Sequence, residues 1–237
     1  MLKGVLFDMG GTLIKTAPVS EIFKRILEDF GIKRSTEEIE EARKIVEKQF
    51  DIEELAILED AFWLKWNTRI LEHMGIYENA QSLAERIAKQ WWQYSDVKLY
   101  PDVEKTLNVL KQRRLKIGLI TNGLESDVEE VLPRIGLAGF FDVEVTSSLV
   151  GKIKPHREIF LHALEKLGIK PQEAMHVGDE VERDYEGAKR CGLKALLIDR
   201  ENSVGEEGVE KIQSLAEIQV QRRKLTWITL VKSGQSI

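Results

Sequence analysis

The chain has 237 residues, room for one large domain or a domain with an insert, and 43% hydrophobic with 32% charged residues marks a folding chain rather than a disordered one. A formal net charge of −5 argues against a general nucleic-acid binder, which carries a basic excess. The single cysteine, Cys191, excludes an intrachain disulfide and fits a reducing cytosol.

Residues 5–7 form a short continuous apolar run closed by Asp8 and two glycines, which predicts a buried strand of a parallel sheet. The interval 16–97 then leaves the strand pattern. Helical periodicity runs over 19–30, 36–49, 55–74 and 80–92, with Ser35 or Thr36 as a candidate N-cap. Four tryptophans lie here, at 63, 66, 91 and 92. Trp63 and Trp66, three apart, share a helix face, either in the core of the insert or on an apolar lid or dimer surface.

Beyond residue 98, helices and strands alternate. A helix is predicted over 102–114, a strand over 116–120 ended by Thr121-Asn122-Gly123, a helix over 126–135 and a weaker strand over 143–145. A helix over 157–167 stops at Gly168. A strand over 174–177 ends in Gly178-Asp179, a helix covers 182–190, and a fifth strand over 195–198 ends in Asp199. A last helical segment over 205–219 and a loose tail from 233 complete the reading. This alternation predicts an α/β fold with a parallel five-stranded sheet.

The basic runs 111–114 and 222–224 read as solvated helix ends, and Cys191 as a small buried apolar residue. No apolar run approaches the roughly 18 residues of a membrane span, and the N-terminus runs into a strand rather than a signal peptide. A soluble, cytoplasmic protein is the expectation.

Ligands of open parallel sheets bind outside the carboxyl ends of the strands. Those ends carry Asp8, Thr121 and Asn122, and Asp179 with Asp184, while Lys154 precedes Pro155 at a helix start. Acids, a hydroxyl, an amide and a lysine in one crevice suit a metal-bound phosphate. Mg²⁺ takes oxygen ligands, and lysine and hydroxyl groups neutralise phosphoryl oxygens.

Four stretches carry a resemblance: Asp8-Met9-Gly10-Gly11-Thr12-Leu13, Leu119-Ile120-Thr121-Asn122-Gly123, Gly151-Lys152-Ile153-Lys154-Pro155, and His176-Val177-Gly178-Asp179 followed by Asp184, Gly187 and Ala188. Their identity and order resemble the motifs of the haloacid dehalogenase superfamily, mostly phosphohydrolases. Tyr100-Pro101-Asp102-Val103 resembles that family's return from its cap.

The resemblance implies a Rossmann-like core of residues 1–15 and 98–237, with helices on both faces of the sheet, and a mobile all-helical cap of residues 16–97. It implies that Asp8 is the nucleophile that becomes an aspartyl phosphate. Thr121, Asn122 and Lys154 would bind the phosphoryl group, with Lys154 also pairing with the nucleophile. Mg²⁺ would be held by Asp8, the Gly10 backbone carbonyl and Asp179, with Asp184 as a ligand or its support. The implied partner is a small phosphorylated substrate, without nucleic acid or membrane, and the chain would act as a monomer or homodimer.

The chain departs from the pattern at Gly10, where most phosphatases of the family carry a second aspartate as general acid. Such a group contributes typically about 10²–10⁴-fold, roughly 3–5 kcal/mol of barrier. Several readings stay open: slow turnover, or substrates with good leaving groups; an acid from Lys15, Glu125 or the cap; a non-catalytic binding role; and dehalogenase- or phosphonatase-type chemistry. Asp179 and Asp184 speak against the dehalogenases, and Lys44, Lys48 and Lys65 match no phosphonatase motif.

Overall fold

The computed structural model describes residues 1–218. The basic run 222–224, the end of the segment 205–219 and the tail from 233 lie outside the described residues.

The wholly buried strand β1 (Gly4–Phe7) opens the chain, followed by β2 (Ile14–Lys15). Five helices come next: α1 (Val19–Asp29), α2 (Thr36–Glu47), α3 (Leu55–Leu58), α4 (Asp60–His73) and α5 (Ala80–Tyr94). Helix α1 buries Ile22, Phe23, Ile26 and Leu27 along one face, the spacing of an amphipathic helix. Ser35 is the cap of α2: its hydroxyl accepts from Glu38 N, and the Glu38 carboxylate accepts in turn from Ser35 N. The periodicity over 55–74 predicts one helix, but the backbone of Glu59 turns to φ 50° and ψ −125° and divides it into α3 and α4. A one-residue break of this kind leaves the apolar pattern on either side intact, so periodicity does not register it.

These helices enclose their own hydrophobic cluster, which includes Phe23, Ile39, Phe62, Trp66, Ile70 and Ile87. Trp66 is buried and Trp63 half-buried, with ring centroids 5.7 Å apart and nearly perpendicular, so the shared face lies in the insert's interior. Trp92 departs from its neighbours and packs on the cluster beside the main sheet. The chain leaves the insert through β3 (Lys98–Leu99), which pairs antiparallel with β2 and makes a two-stranded ribbon at the insert's base.

The remaining elements are α6 (Val103–Gln112), β4 (Lys116–Thr121), α7 (Glu125–Arg134), β5 (Val143–Thr146), α8 (Ser147–Val150), α9 (Arg157–Leu167) and β6 (Ala174–Gly178). A π-helical turn, Val181–Glu186, runs into α10 (Gly187–Arg190), before β7 (Lys194–Ile198) and β8 (Lys211–Ile212). The sheet order is β5-β4-β1-β6-β7-β8, and every pair is parallel. Alternate residues of β1 feed the two faces. Val5 and Phe7 join the cluster under α6 and α7, and Leu6 joins the one under α9 and α10.

Among the described residues the sheet has six strands rather than the five predicted. The sixth lies in the segment 205–219, which forms β8 and a 3₁₀ turn, Leu215–Glu217, instead of a helix. Strand β7 would otherwise present an unpaired edge. Leu197 N donates to Glu210 O and Asp199 N to Ile212 O, so the sheet's need for partners overrides the local helical pattern. Cys191 is half-buried rather than buried, and burial pushes its thiol pKa up, away from the reactive thiolate. Among the described residues no helix is long and apolar enough to cross a membrane.

Candidate active site

Strand order decides which strand ends meet. Strand β1 lies between β4 and β6, with Phe7 level with Leu119 on one side and Val177 on the other. The residues that follow are therefore neighbours: Asp8 from β1, Thr121 and Asn122 from β4, and Gly178 and Asp179 from β6. The chain builds β4 and then β5 on one side of β1 and crosses back to β6 on the other, so the strand order reverses here, at the crevice where ligands of doubly wound sheets bind.

Lys154 reaches into this crevice from the loop between α8 and α9. Its ammonium, 3% exposed, donates to Asp8 Oδ1 at 2.6 Å and to Asp184 Oδ1 at 2.7 Å. Asp184 is held further by His176 Nε2 at 2.8 Å and by Glu180 N, which donates to Oδ2 at 3.1 Å. The carboxylate group lies so close to β6 that a Cβ on Gly178 would stand 2.1 Å from Asp184 Cγ. Asp179 rests on the turn after β1. Thr12 Oγ1 donates to Asp179 Oδ1 at 3.3 Å, and a Cβ on Gly11, at φ 67°, would meet Asp179 Oδ2 at 2.1 Å. Only glycine fits there.

The structure thus brings Asp8, Lys154, Asp179 and Asp184 together. Thr121 is buried beside them, and its hydroxyl accepts from Gly123 N at 3.1 Å, shaping the turn after β4. Asn122 uses its side chain on the backbone of Lys154: Oδ1 accepts from Lys154 N at 2.7 Å and Nδ2 donates to Lys154 O at 3.3 Å. The amide therefore holds the lysine. Gly10 is exposed, with no atom within 4 Å of where its Cβ would be. Thr12, His176 and Arg200, which donates to Thr12 O, belong to the site's scaffold although the sequence assigns them no role. Thr12 and His176 stand within the motif stretches named above, and His176 is also a polar residue inside the otherwise apolar strand β6, whereas nothing in the sequence marks Arg200.

Two buried acids, Asp8 and Asp184, share one ammonium with the half-buried Asp179 beside them, and the three acidities diverge accordingly. Burial pushes Asp8 up to about 8, against the pull of Lys154 and with Asp184 and Asp179 adding repulsion. Burial and the Asp184 charge push Asp179 up to about 6. Burial also opposes charge on Asp184, but Lys154 and His176 outweigh it and hold that carboxyl well below the usual range. For Lys154 burial opposes the charge, and Asp184 and Asp8 outweigh it, so the lysine stays protonated. Burial lowers the pKa of His176 and keeps its imidazole neutral.

One carboxylate oxygen from each of Asp8, Asp179 and Asp184 lies within 4.8 Å of the other two. An all-oxygen donor set of this kind, with excess negative charge, fits a hard divalent cation. Gly10 is the neighbour in sequence of Gly11, which packs against Asp179.

The haloacid dehalogenase-like hydrolase family matches residues 2–192. Among curated relatives, the glyceraldehyde 3-phosphate phosphatase of Methanocaldococcus jannaschii is 32% identical, over 84% of this chain and 85% of its own. The phosphoserine phosphatase of Thermus thermophilus is 30% identical, over 84% and 89%. A solved HAD phosphatase from Thermococcus onnurineus is 28% identical, over 91% and 95%, with a TM-score of 0.61. The family match runs from β1 to the turn before β7 and takes in every strand end and loop that supplies the lysine-bridged acids; the chain belongs to the haloacid dehalogenase-like hydrolases.

Proposed function

We propose that the protein is a Mg²⁺-dependent phosphohydrolase that acts on a small phosphorylated metabolite through a phosphorylated Asp8. The observation that carries this reading is Lys154, buried between Asp8 and Asp184 at 2.6 and 2.7 Å. A protonated lysine there holds a nucleophilic carboxylate in place and supplies positive charge where phosphoryl oxygens arrive. The relatives named as phosphatases support the reaction class.

Asp8, Asp179 and the Gly10 carbonyl would hold Mg²⁺, which when bound supplies positive charge to the phosphoryl oxygens and to the acids. Asp184, whose oxygens already serve Lys154, His176 and Glu180 N, supports the lysine as much as the cation. Lys154 engages Asp8 Oδ1, which leaves Oδ2 to attack phosphorus. The new Oδ2–P bond forms as the bond from phosphorus to the leaving oxygen breaks, and the leaving oxygen takes a proton. Water then attacks the same phosphorus, the bond to Asp8 breaks, and phosphate departs. Thr121 and the turn after it face the phosphoryl group, and Asn122 contributes by fixing Lys154. Residue 10 carries no proton-transfer group, so both protonation of the leaving oxygen and activation of water rely on other sources. Turnover is accordingly slow for alkyl phosphates.

The helices of residues 16–97 act as the cap over this site and choose the substrate. Relatives at 32% and 30% identity act, by name, on glyceraldehyde 3-phosphate and on phosphoserine. Those two compounds are the first natural substrates to assay.

The test is release of p-nitrophenol from p-nitrophenyl phosphate, followed from the first turnover, with Mg²⁺, with chelator, and for Asp8→Asn. Release that needs both Mg²⁺ and Asp8 supports the reading, and a burst before slow turnover locates the delay in water attack. No release from folded protein under any condition would move the assignment to phosphate binding without catalysis.

A further inference from the structure

The turn that seats Asp179 has an anchor outside the four motifs. Within it, Leu13 N and Ile14 N both donate to Met9 O, and Gly11 N donates to Ile14 O. These bonds leave the Thr12 carbonyl unused. Arg200, just after β7, takes it: Nη2 donates to Thr12 O at 2.7 Å.

The guanidinium is itself fixed from two sides. Its Nη1 donates to Asp102 Oδ2 at 3.1 Å, and its Cζ lies 3.6 Å from the centre of the Tyr100 ring. Asp102 Oδ2 also accepts from Ser214 Oγ at 2.7 Å and Leu215 N at 2.6 Å. Burial pushes the Asp102 carboxyl up, but these bonds more than offset it, and the acid stays ionised. The pair is largely dry, with Arg200 14% and Asp102 11% exposed.

We propose that Arg200 is a positioning residue for metal binding: by holding the Thr12 carbonyl it fixes the Gly11-Thr12 turn, and with it the seat of Asp179. The inference rests on the phosphohydrolase reading above. The path is short. Thr12 donates its hydroxyl to Asp179 Oδ1, and Gly11 lies against Asp179 Oδ2 with no room for a methyl group. A small shift of the turn therefore moves this carboxylate. Asp102 and Tyr100 belong to the chain's return from the β2–β3 ribbon, where Tyr100 N donates to Leu13 O. Arg200 thus joins the base of the helical insert to the metal-binding turn.

The test titrates Mg²⁺ calorimetrically into wild type, Arg200→Gln and Arg200→Lys, with a melting curve of each without Mg²⁺. Loss of a group that orients a metal ligand typically costs about 10–100-fold in affinity, and about tenfold is expected for Arg200→Gln. Arg200→Lys is expected to lose roughly threefold, because one ammonium cannot serve Thr12 and Asp102 as a fork does. That variant also covers the case in which Arg200→Gln does not fold. In turnover assays the Mg²⁺ activation constant is expected to rise by the same factor, with kcat at saturating Mg²⁺ within about threefold of wild type. Lower melting temperatures with unchanged Mg²⁺ affinity would mean that Arg200 only ties the fold together, and would overturn the inference alone. Wild type that takes up no Mg²⁺ would overturn both the metal reading and this one.

Discussion

Trp92 donates its indole N–H to Asp127 Oδ1 at 2.8 Å, from the last helix of the insert to the first turn of α7. The other carboxylate oxygen accepts from Leu124 N at 2.9 Å and stands 3.1 Å from where a Cβ of Gly123 would be. One acid therefore joins α5 to the turn that follows Thr121 and Asn122. The two hydrophobic clusters interlock at the same place: Trp92 packs with the sheet's cluster, and Leu124 packs with the insert's.

This bond is expected to make substrate binding depend on how the insert is seated. Trp92→Phe keeps an aromatic ring and removes the donor. A hydrogen bond to a charged group contributes about 1.5–3 kcal/mol, and the lower end applies at a half-exposed acid. The expected outcome is a rise of about three- to tenfold in KM for p-nitrophenyl phosphate, with kcat within about twofold. Identical kinetic constants in the two proteins would show that substrate does not sense the bond.

The strand ends were legible because a buried parallel strand must be continuously apolar, and the residue that stops the run is then conspicuous. Asp8, Thr121 and Asp179 are all of that kind. Lys154 and Asp184 were legible from a helix start and from a position just past a strand end, but nothing local announces that a loop lysine will end 3% exposed between two acids. The partners of Asn122, Thr12 and Arg200 were not legible, because each is chosen by a contact far away in sequence. Arg200 and Thr12 are 188 residues apart. The break at Glu59 and the edge strand β8 were missed for a related reason: one is a single backbone torsion and the other is fixed by the open edge of β7.

The electrostatics predict that Mg²⁺ displaces a proton. Without a cation Asp8 is raised from 3.8 to about 8, so at pH 7 it is largely protonated. A metal ligand must be ionised, so Mg²⁺ uptake at that pH is expected to release close to one proton. Calorimetry in two buffers of different ionisation enthalpy measures this directly. The apparent affinity is expected to rise with pH up to about 8, approaching tenfold per unit in the middle of the range, and then to level off. The sign for stability runs the other way. The folded metal-free protein holds a proton that the unfolded chain has lost between pH 3.8 and about 8, so the contribution of Asp8 falls across that window as pH rises. Mg²⁺ is expected to offset the loss, seen as a melting temperature that gains more from Mg²⁺ at pH 8 than at pH 5. Heats that do not depend on the buffer would sink the prediction.

Gly10 offers a gain of function. Its backbone is not in the left-handed region, unlike that of Gly11, and no atom lies within 4 Å of a Cβ placed there. Gly10→Asp is therefore expected to fold without strain, with melting in saturating Mg²⁺ close to wild type. A positioned proton donor contributes about 10²–10⁴-fold where it is needed, and need depends on the leaving group. p-Nitrophenolate leaves without protonation, whereas an alkoxide does not. Steady-state turnover of an alkyl phosphate such as glycerol 3-phosphate is thus expected to rise by at least about tenfold more than that of p-nitrophenyl phosphate. Single-turnover measurements separate the two half-reactions. A new carboxylate that also activates water would abolish any burst with p-nitrophenyl phosphate, because hydrolysis of phosphorylated Asp8 would no longer lag behind its formation. Equal gains on both substrates in the first half-reaction would mean that leaving-group protonation does not limit this enzyme, and that residue 10 constrains only the attack of water.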